Sequence, residues 1–128
     1  RYIEWISLDI RYLTFDRSKT NKSSTLQILF YRILLGMIHS FSCKATEALF
    51  SSMSSARFKN IERLARRKLL QLHAATSLVD LRIPPGNMLE ALHKNRKGQH
   101  SIRINGQWRI CFIWKEDGAY NVEIVDYH

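Results

Sequence analysis

The stretch SIRINGQWRICFIW, residues 101–114, decides the fold of this chain. On both sides of Asn105-Gly106, apolar side chains alternate with polar ones, and this period of two is typical of β-strands. Asn-Gly between two such runs is a strong signal for a tight turn, because both residues tolerate the left-handed backbone that hairpins need. The stretch therefore predicts a hairpin with strands from His100 to Ile104 and from Trp108 to Lys115.

The length of the hairpin loop decides which side chains share a face. A two-residue loop would pair Ile104 with Gln107 and place isoleucines on the face of Arg109. A three-residue loop, Ile104-Asn105-Gly106, would pair Arg103 with Gln107 and separate apolar from basic side chains. We expect the second register, because burial of one face penalises a one-residue slip. It predicts one face with Ile102, Trp108, Ile110, Phe112 and Trp114, and another with Arg103, Gln107, Arg109 and Cys111.

The segments after and before this hairpin indicate two more strands. Asp117-Gly118 predicts a turn into a last strand, Tyr120 to Asp126. Another strand is expected from Asn87 to Leu92, and a basic loop from Lys94 to Gly98 connects it to the hairpin. These residues together predict a four-stranded, mainly antiparallel sheet.

Further upstream, the spacing of apolar residues changes to that of helices. A short strand is predicted from Ile38 to Phe41, and Ser42 can cap a helix whose apolar positions continue to Met53. A longer helix is predicted from Ala56 to Ala75, before the connector that ends in Pro84-Pro85-Gly86. The fold class is therefore α+β: an N-terminal strand, two helices, and the four-stranded sheet packed on the helices.

The composition is that of a globular protein with an unusual charge. The 128 residues are 45% hydrophobic and 24% charged, which excludes wholesale disorder. The net charge of +9 suggests a polyanionic partner, which could be nucleic acid, an anionic membrane surface or an acidic protein, although a solvated basic surface would give the same number. Cys43 and Cys111 form no CxxC pair, so neither a structural zinc site nor a disulfide framework is expected. No carboxylate cluster suits a magnesium ion, so we expect no metal and no cofactor.

The longest apolar run does not predict a membrane segment. It extends from Leu26 to Ile38 and contains Gln27 and Arg32, and it is too short to cross a bilayer. Arg32 also interrupts it as a signal peptide, so we expect a cytoplasmic protein without a membrane partner.

Residues 1–36 and 37–128 differ in composition. The first part contains no Ala, Val, Pro, His, Met or Cys, and Met37 is the first methionine. We expect the N-terminal extension, residues 1–36, to come from sequence upstream of a natural start at Met37. Residues 37–128 are then expected to form the domain. A genuine N-terminal extension is the alternative.

Basic and titratable residues suggest where the chemistry takes place. Arg103 and Arg109 are predicted side by side on the polar face, either both solvated or with an anion between them. The terminal triplet Asp126-Tyr127-His128 offers an imidazole for acid–base chemistry, a tyrosine for stacking, and a carboxylate that can orient the imidazole. His93, beside the basic loop, is a second titratable candidate.

Four motifs taken together resemble the HigB-type toxins of the RelE/ParE superfamily of bacterial toxin–antitoxin systems. They are MIHSF from Met37, LLQLHAATSLVDLRIPPGNMLEAL from Leu69, SIRINGQWRICFIW from Ser101, and VEIVDYH at the terminus. The resemblance covers residues 37–128 and implies a RelE-like fold. It also implies a small ribonuclease that cuts mRNA in the ribosomal A site, with a helix-turn-helix antitoxin of HigA type as its partner.

The resemblance also implies roles for individual residues. Arg109 matches the arginine of the Trp-Arg pair that faces the scissile phosphate, and Asp126, Tyr127 and His128 match the terminal triplet, with His128 as the acid or base. Arg96 matches the arginine of the basic loop. The other RNA-binding residues that we expect are Lys94, Lys97 and Arg103.

The basic loop departs from the pattern of many relatives. They read Leu-Lys-Gly-Asp-Arg where this chain has Leu92-His93-Lys94-Asn95-Arg96, so His93 stands in place of a lysine and Lys94 in place of a glycine. Where some relatives carry a catalytic histidine three positions before His93, this chain has Glu90. His93 either substitutes for the lysine as a catalytic residue or leaves the enzyme weakened.

Two other functions compete with the ribonuclease. The superfamily includes toxins that poison DNA gyrase and lack the acid–base set, and the arginines would equally serve a module that binds nucleic acid without cleaving it. A toxin that has lost its activity is a third hypothesis. The coexistence of the terminal triplet, His93 and the arginines favours the nuclease, because a pure binder needs no titrating group at the end of its last strand.

Overall fold

The computed structural model describes residues 37–127 as two helices and five strands joined by short turns. Residues 1–36 and His128 lie outside the described residues, and so do the predictions made for them. The strands are β1 (Met37–Ile38), β2 (Glu90–Ala91), β3 (His100–Arg103), β4 (Trp108–Lys115) and β5 (Gly118–Asp126). The helices are α1 (Lys44–Phe50) and α2 (Glu62–Ala74), and four 3₁₀ turns span Ala56–Phe58, Leu78–Arg82, Pro85–Asn87 and Lys94–Arg96.

The strands form one mixed sheet in the order β1-β5-β4-β3-β2. Strands β2 to β5 pair antiparallel in sequence, as short hairpin connections require, whereas β1 pairs parallel with β5. The predicted α+β class and element order are confirmed. Because β1 joins the edge of the sheet, the sheet has five strands.

The core lies between the two helices and one face of the sheet. Ile102, Ile110 and Phe112 are fully buried there, and Trp108 and Trp114 pack against them at the margin. The predicted apolar face is therefore confirmed, and the opposite face is left for the basic side chains. The helices contribute Leu49, Phe50, Ala65, Leu69 and Leu72 to this core.

The hairpin loop differs by one position from the predicted loop. Arg103 pairs with Arg109 instead of Gln107, and the Ile104 N–H donates to the carbonyl of Trp108 at 2.9 Å. The loop is therefore Asn105-Gly106-Gln107. The physical reason is that the Asn105 side-chain oxygen accepts from the N–H groups of Gln107 and Trp108, both at 2.8 Å, while Ile104 is buried in the core. The shift moves both strands together, so the predicted faces are unchanged.

The strand predicted from Asn87 to Leu92 is shorter than expected. Asn87 ends a 3₁₀ turn and is fully buried, with its amide donating to the carbonyls of Leu81 (3.1 Å) and Ile83 (3.4 Å). Its side-chain oxygen accepts from Lys68 Nζ at 2.5 Å. These bonds hold the chain away from the sheet until Glu90, so β2 contains only two residues.

Both helices also begin later than predicted. Ser42 does not cap α1: its hydroxyl donates to the carbonyl of Asn121 at 3.1 Å, and Cys43 occupies the N-cap position. The long helix begins at Glu62 instead of Ala56, because the chain first makes the 3₁₀ turn Ala56–Phe58, which buries Phe58. No helix within residues 37–127 has the length and apolar character that spanning a membrane requires.

Candidate functional site

The face of the sheet opposite the helices carries the candidate site. Residues paired across neighbouring strands project to the same side, so the register fixes which side chains meet. The predicted arginine pair is brought together there, on adjacent strands. Two rows cross this face: Glu90–Ser101–Cys111–Glu123, and Arg103–Arg109–Val125.

Arg109 is held by the protein rather than by solvent. It is only 6% exposed, and its Nε donates to Ser101 Oγ at 2.8 Å. Its Nη2 donates to the carbonyls of Met88 (2.6 Å) and Ser101 (3.4 Å). Among residues 37–127 no hydrogen-bond acceptor occupies Nη1, which leaves the N–H groups of that nitrogen for a ligand. Of the two alternatives for the arginine pair, the one with both side chains solvated does not hold for Arg109.

The carbonyl of Met88 reaches Arg109 because of the turn before β2. Buried Asn87 fixes that turn, and Met88 follows it in the left-handed conformation, with φ 45°. This backbone conformation is uncommon for residues other than glycine, and it reverses the chain locally. The turn thereby supplies an acceptor that fixes the orientation of the guanidinium.

Tyr127 lies over Arg109 on the open face. Arg109 Cζ is 5.3 Å from the centre of the Tyr127 ring, within the range of a cation–π contact. The Tyr127 N–H donates to the carbonyl of Gln107 at 2.6 Å, which fixes the end of the chain to the hairpin loop. Tyr127 as a whole is 47% exposed, so a base or ribose can still reach it.

Glu90 completes the contacts around this arginine. Its Oε1 is 3.5 Å from Arg109 Nη2 and accepts a hydrogen bond from the Tyr127 hydroxyl at 3.4 Å. Glu90 and Ser101 are cross-strand partners, so one pair of neighbours contacts the same guanidinium from β2 and β3. The site therefore combines a fixed cation, a phenol and a carboxylate in mutual contact.

Asp126 is directed differently from Tyr127. It lies opposite Trp108, in the ladder that carries the core face, and its Oδ2 accepts from Gln107 Nε2 at 3.0 Å. The predicted triplet is thus divided: Tyr127 contacts Arg109, Asp126 contacts the hairpin loop, and His128 lies outside the described residues.

Arg96 forms an ion pair at the other side of the same face. Its Nη1 donates to Glu123 Oε1 at 2.8 Å and to Gln99 Oε1 at 3.1 Å. The hydrogen bond with Glu123 raises the pKa of Arg96 above its usual value. Burial raises the pKa of the neighbouring Cys111 thiol, which keeps it protonated. Glu123 was not anticipated from the sequence.

The remaining predicted site residues border this face. Arg103 is half-buried. Its Nη2 lies near Gly106, 3.8 Å from the position that a Cβ on this glycine would occupy. His93, Lys94 and Lys97 are exposed in the turn after β2. Within residues 37–127, no hydrogen bond or ion pair joins the His93 side chain to Arg109, Tyr127 or Glu90.

A second basic feature lies on the helix side of the hairpin loop. A groove of about 520 Å³ is lined by Arg63 and Arg67 of α2, with Asn105 at its other wall. Among residues 37–127, no three His, Cys, Asp or Glu side chains are grouped closely enough to hold a metal ion.

Sequence reasoning missed Glu90, Ser101 and the Met88 carbonyl as partners of Arg109. Alternation offered one signal, because Ser101 has the same parity as Arg103 and so belongs to the polar face. The other two partners depend on where β2 begins, which a buried asparagine side chain decides.

Comparisons with known proteins give this geometry a context. The family model described as RelE-like toxin of type II toxin-antitoxin system HigB matches residues 40–128. Toxin HigB-1 of Vibrio cholerae is 50% identical over 62 residues, which cover 48% of this chain and 65% of that protein. An uncharacterised protein of Haemophilus influenzae is 37% identical over 63 residues, which cover 49% of this chain and 62% of that protein. The chain thus matches less than two thirds of the length of each of these relatives.

Proposed function

Because the chain belongs to the family of HigB-like toxins, the RelE-like toxins of type II toxin–antitoxin systems, we propose that it is an endoribonuclease that cleaves mRNA on the ribosome. In the proposed reaction the RNA 2′-OH attacks the adjacent phosphorus in line and the bond to the 5′-oxygen breaks. The products carry a 2′,3′-cyclic phosphate and a 5′-OH. Side chains transfer both protons, without a metal ion. The toxin would act in the ribosomal A site in the cytoplasm, and a helix-turn-helix antitoxin of HigA type would silence it.

The observation that carries this proposal is the way Arg109 is held. Ser101 and Met88 fix Nε and Nη2, while Nη1 remains for a ligand. A guanidinium already oriented by the protein stabilises the charge that develops on a phosphorane without reorganising during the reaction. The Tyr127 ring beside it offers a surface on which an RNA base can stack.

The proton transfers fall to the end of the chain. We assign protonation of the 5′-oxygen to His128, since an imidazole titrates near neutral pH and the resemblance implies that the terminal histidine is an acid or base. Asp126 and Tyr127 both bond to Gln107, which anchors the end of β5 to the hairpin loop. His93 is the alternative acid if its loop closes on the substrate.

The basic side chains around the site would bind the RNA backbone. Arg103 and the exposed Lys94 and Lys97 provide phosphate contacts, and Arg96, already paired with Glu123, borders the same face. Such contacts position RNA without reading its sequence, which suits cleavage of many messages. The net charge of +9 agrees with binding in a cleft made of ribosomal RNA.

The test is primer extension on a reporter mRNA in a reconstituted translation system, with and without ribosomes. We expect ribosome-dependent cuts, and a rate lowered by about 10²–10³ in Arg109→Ala, as when one preorganised donor is removed. Tyr127→Ala is the companion variant, because it removes the ring on which a base would stack and leaves the hydrogen bonds of Arg109 intact. Arg82→Ala, at an exposed position, is the control, because Arg82 makes no hydrogen bond or ion pair with Arg109, Tyr127 or Glu90 among residues 37–127.

Other results would point elsewhere. Cuts that persist in both Arg109→Ala and Tyr127→Ala would refute the site. The absence of cuts together with a DNA-damage response in cells would indicate a gyrase poison, and the absence of both would indicate a decayed toxin.

A further inference from the structure

We infer that the groove between α2 and the hairpin loop is a second RNA-binding site, which holds the single-stranded backbone of the message next to the cleaved bond. That this RNA is a message rests on the proposed function. Six side chains line the groove: Asn60, Ile61, Arg63, Leu64, Arg67 and Asn105. The inference follows from the charge of these side chains, from the contacts of the other basic residues of α2, and from the position of the hairpin loop.

The side chains that line the groove suit an anion. Arg63 and Arg67 are cationic, and among the described residues that line the groove none is acidic. The side-chain oxygen of Asn105 already accepts from two backbone N–H groups of the hairpin, so this amide has its two Nδ2 hydrogens to offer a ligand. Ile61 and Leu64 add apolar surface on which a ribose or a base can pack. Hydrogen-bond donors beside apolar surface fit a nucleic acid strand.

The two arginines of the groove differ from the other Arg and Lys residues of α2, which have partners inside the protein. Arg66 Nε donates to a carbonyl of α1 at 2.9 Å, and Lys68 Nζ donates to the side chain of buried Asn87 at 2.5 Å. Within residues 37–127, no hydrogen bond, ion pair or ring contact engages Arg63 or Arg67, and both are exposed. Their guanidinium groups are therefore available to a ligand.

Arg63 and Arg67 are also neighbours on one face of α2. Residues four positions apart on a helix lie one turn from each other, and like charges at this spacing repel. A phosphate group between the two guanidinium groups would remove that repulsion. The planar fork of N–H groups of an arginine matches the oxygens of a phosphate, so the pair can hold the backbone of a nucleic acid without reading its bases.

The hairpin loop connects this groove to the arginine face. Asn105 lines the groove, and the carbonyl of Gln107, two residues later, accepts from the N–H of Tyr127 at 2.6 Å. Gly106 lies between them beside the Arg103 guanidinium, and it is exposed and has no side chain to obstruct a ligand. Two residues of chain span at most about 7 Å, so one RNA strand that crosses the loop can contact both sites. An acidic peptide would match the same charges, but this continuity favours RNA.

The test is binding of the full chain to single-stranded RNA probes of about 4 and about 12 nucleotides, measured by fluorescence anisotropy. The 2′-oxygens of both probes carry methyl groups, so they cannot attack and neither probe is cleaved. We expect the unaltered chain to bind the longer probe more tightly, and the double variant Arg63→Gln with Arg67→Gln to lose most of that gain. Between about 50 and about 200 mM salt, the unaltered chain should lose about sevenfold more affinity for the longer probe than the double variant, the effect of two phosphate contacts.

Two further double variants separate the groove from net charge and from folding. Lys44→Gln with Arg82→Gln is the matched control, because it removes the same number of positive charges from exposed positions outside the groove. We expect it to bind both probes as the unaltered chain does. Arg63→Lys with Arg67→Lys keeps both charges in the groove and should retain the salt dependence. Circular dichroism checks that each variant folds.

Each adverse outcome has a separate meaning. An equal gain with probe length in the unaltered chain and the Gln variant overturns the inference, and so does a loss that the control shares. If the two arginines bind a poly-glutamate peptide but not the longer probe, the groove takes an acidic protein and the inference is overturned. A Gln variant that binds ribosomes without a message more weakly than the unaltered chain assigns the groove to ribosomal RNA, which also overturns it.

The proposed function is tested separately, by cleavage of the reporter message. If the unaltered chain cleaves the reporter and the probes show no dependence on Arg63 and Arg67, only the inference about the groove is overturned. If the unaltered chain cleaves no message while the longer probe still depends on both arginines, the proposed function is overturned and the groove is upheld as an RNA-binding site.

Discussion

Acid should destabilise this domain through one buried histidine that joins α2 to the first strand. The Ile38 N–H of β1 donates to His73 Nδ1 at 3.1 Å, and both residues are buried. The Phe50 ring lies 5.2 Å from the imidazole. Burial, with a smaller contribution from repulsion by His39, lowers the pKa of His73 from 6.5 to about 4. The folded protein therefore keeps His73 neutral, and a neutral ring nitrogen is what the N–H of Ile38 needs.

The sign and size of the effect follow from linkage. The unfolded chain binds a proton at His73 below about pH 6.5, whereas the folded chain does so only below about pH 4. The contribution of neutral His73 to the free energy of unfolding is therefore fully present above about pH 6.5, and it is lost as the pH falls from there to about pH 4. The difference amounts to about 2 kcal/mol at about pH 5 and about 3 kcal/mol when both states are protonated.

The assay is urea unfolding followed by tryptophan fluorescence, with Trp108 and Trp114 as reporters at the edge of the core. His73→Gln retains an acceptor for the Ile38 N–H but does not titrate in this range. Between about pH 7 and about pH 5, the free energy of unfolding of this variant should therefore fall by about 2 kcal/mol less than that of the unaltered chain. His73→Leu leaves the N–H unpaired and should cost about 1–3 kcal/mol at neutral pH. His93→Gln, at an exposed position, is the control.

Two results would refute the reasoning about His73. One is the same loss of stability on acidification in His73→Gln as in the unaltered chain. The other is a His73→Leu variant as stable as the unaltered chain at neutral pH.

Three further predictions concern the loops and the basic groove. Lys94 has φ 56°, a backbone conformation that glycine adopts without steric cost, so Lys94→Gly should raise the free energy of unfolding by about 1 kcal/mol; a lower urea midpoint would contradict this. Asn87→Ala should lower it by about 1–3 kcal/mol, because the buried carbonyl of Leu81 loses its partner, and an unchanged melting temperature would argue against that role. Replacing Arg63 and Arg67 together by Gln should reduce the slope of log affinity for single-stranded RNA against log salt concentration by about 1.4. The control Arg82→Gln should leave this slope unchanged. Equal slopes for the double variant and the unaltered chain would exclude the groove as an RNA contact.

Much of the fold could be predicted from local patterns. Alternation from Ser101 to Trp114 identified the hairpin and assigned Ile102 and Ile110 to the core and Arg103 and Arg109 to the other face, and the structure confirms both faces. The assignment survived an error in the loop because moving the hairpin by one residue on each strand keeps the parity of every side chain.

The errors arose where a single side chain outweighed the periodic pattern. The Asn105 side chain bonds to two N–H groups and determines where the hairpin turns, and the buried Asn87 amide delays the start of β2. Neither bond is visible in the period of the sequence, since an asparagine in a loop looks the same whether its amide is solvated or buried.

The sequence alone determined the order of the elements, the apolar and basic faces of the sheet, and the candidate residues Arg109 and Tyr127, because these depend on local periodicity and on short motifs. Only the tertiary structure decided how Arg109 is held. Its partners Met88, Glu90 and Ser101 belong to two other segments of the chain, and burial fixes the guanidinium through bonds to them. Contacts of this kind depend on register and on the packing of distant segments, and local spacing does not encode them.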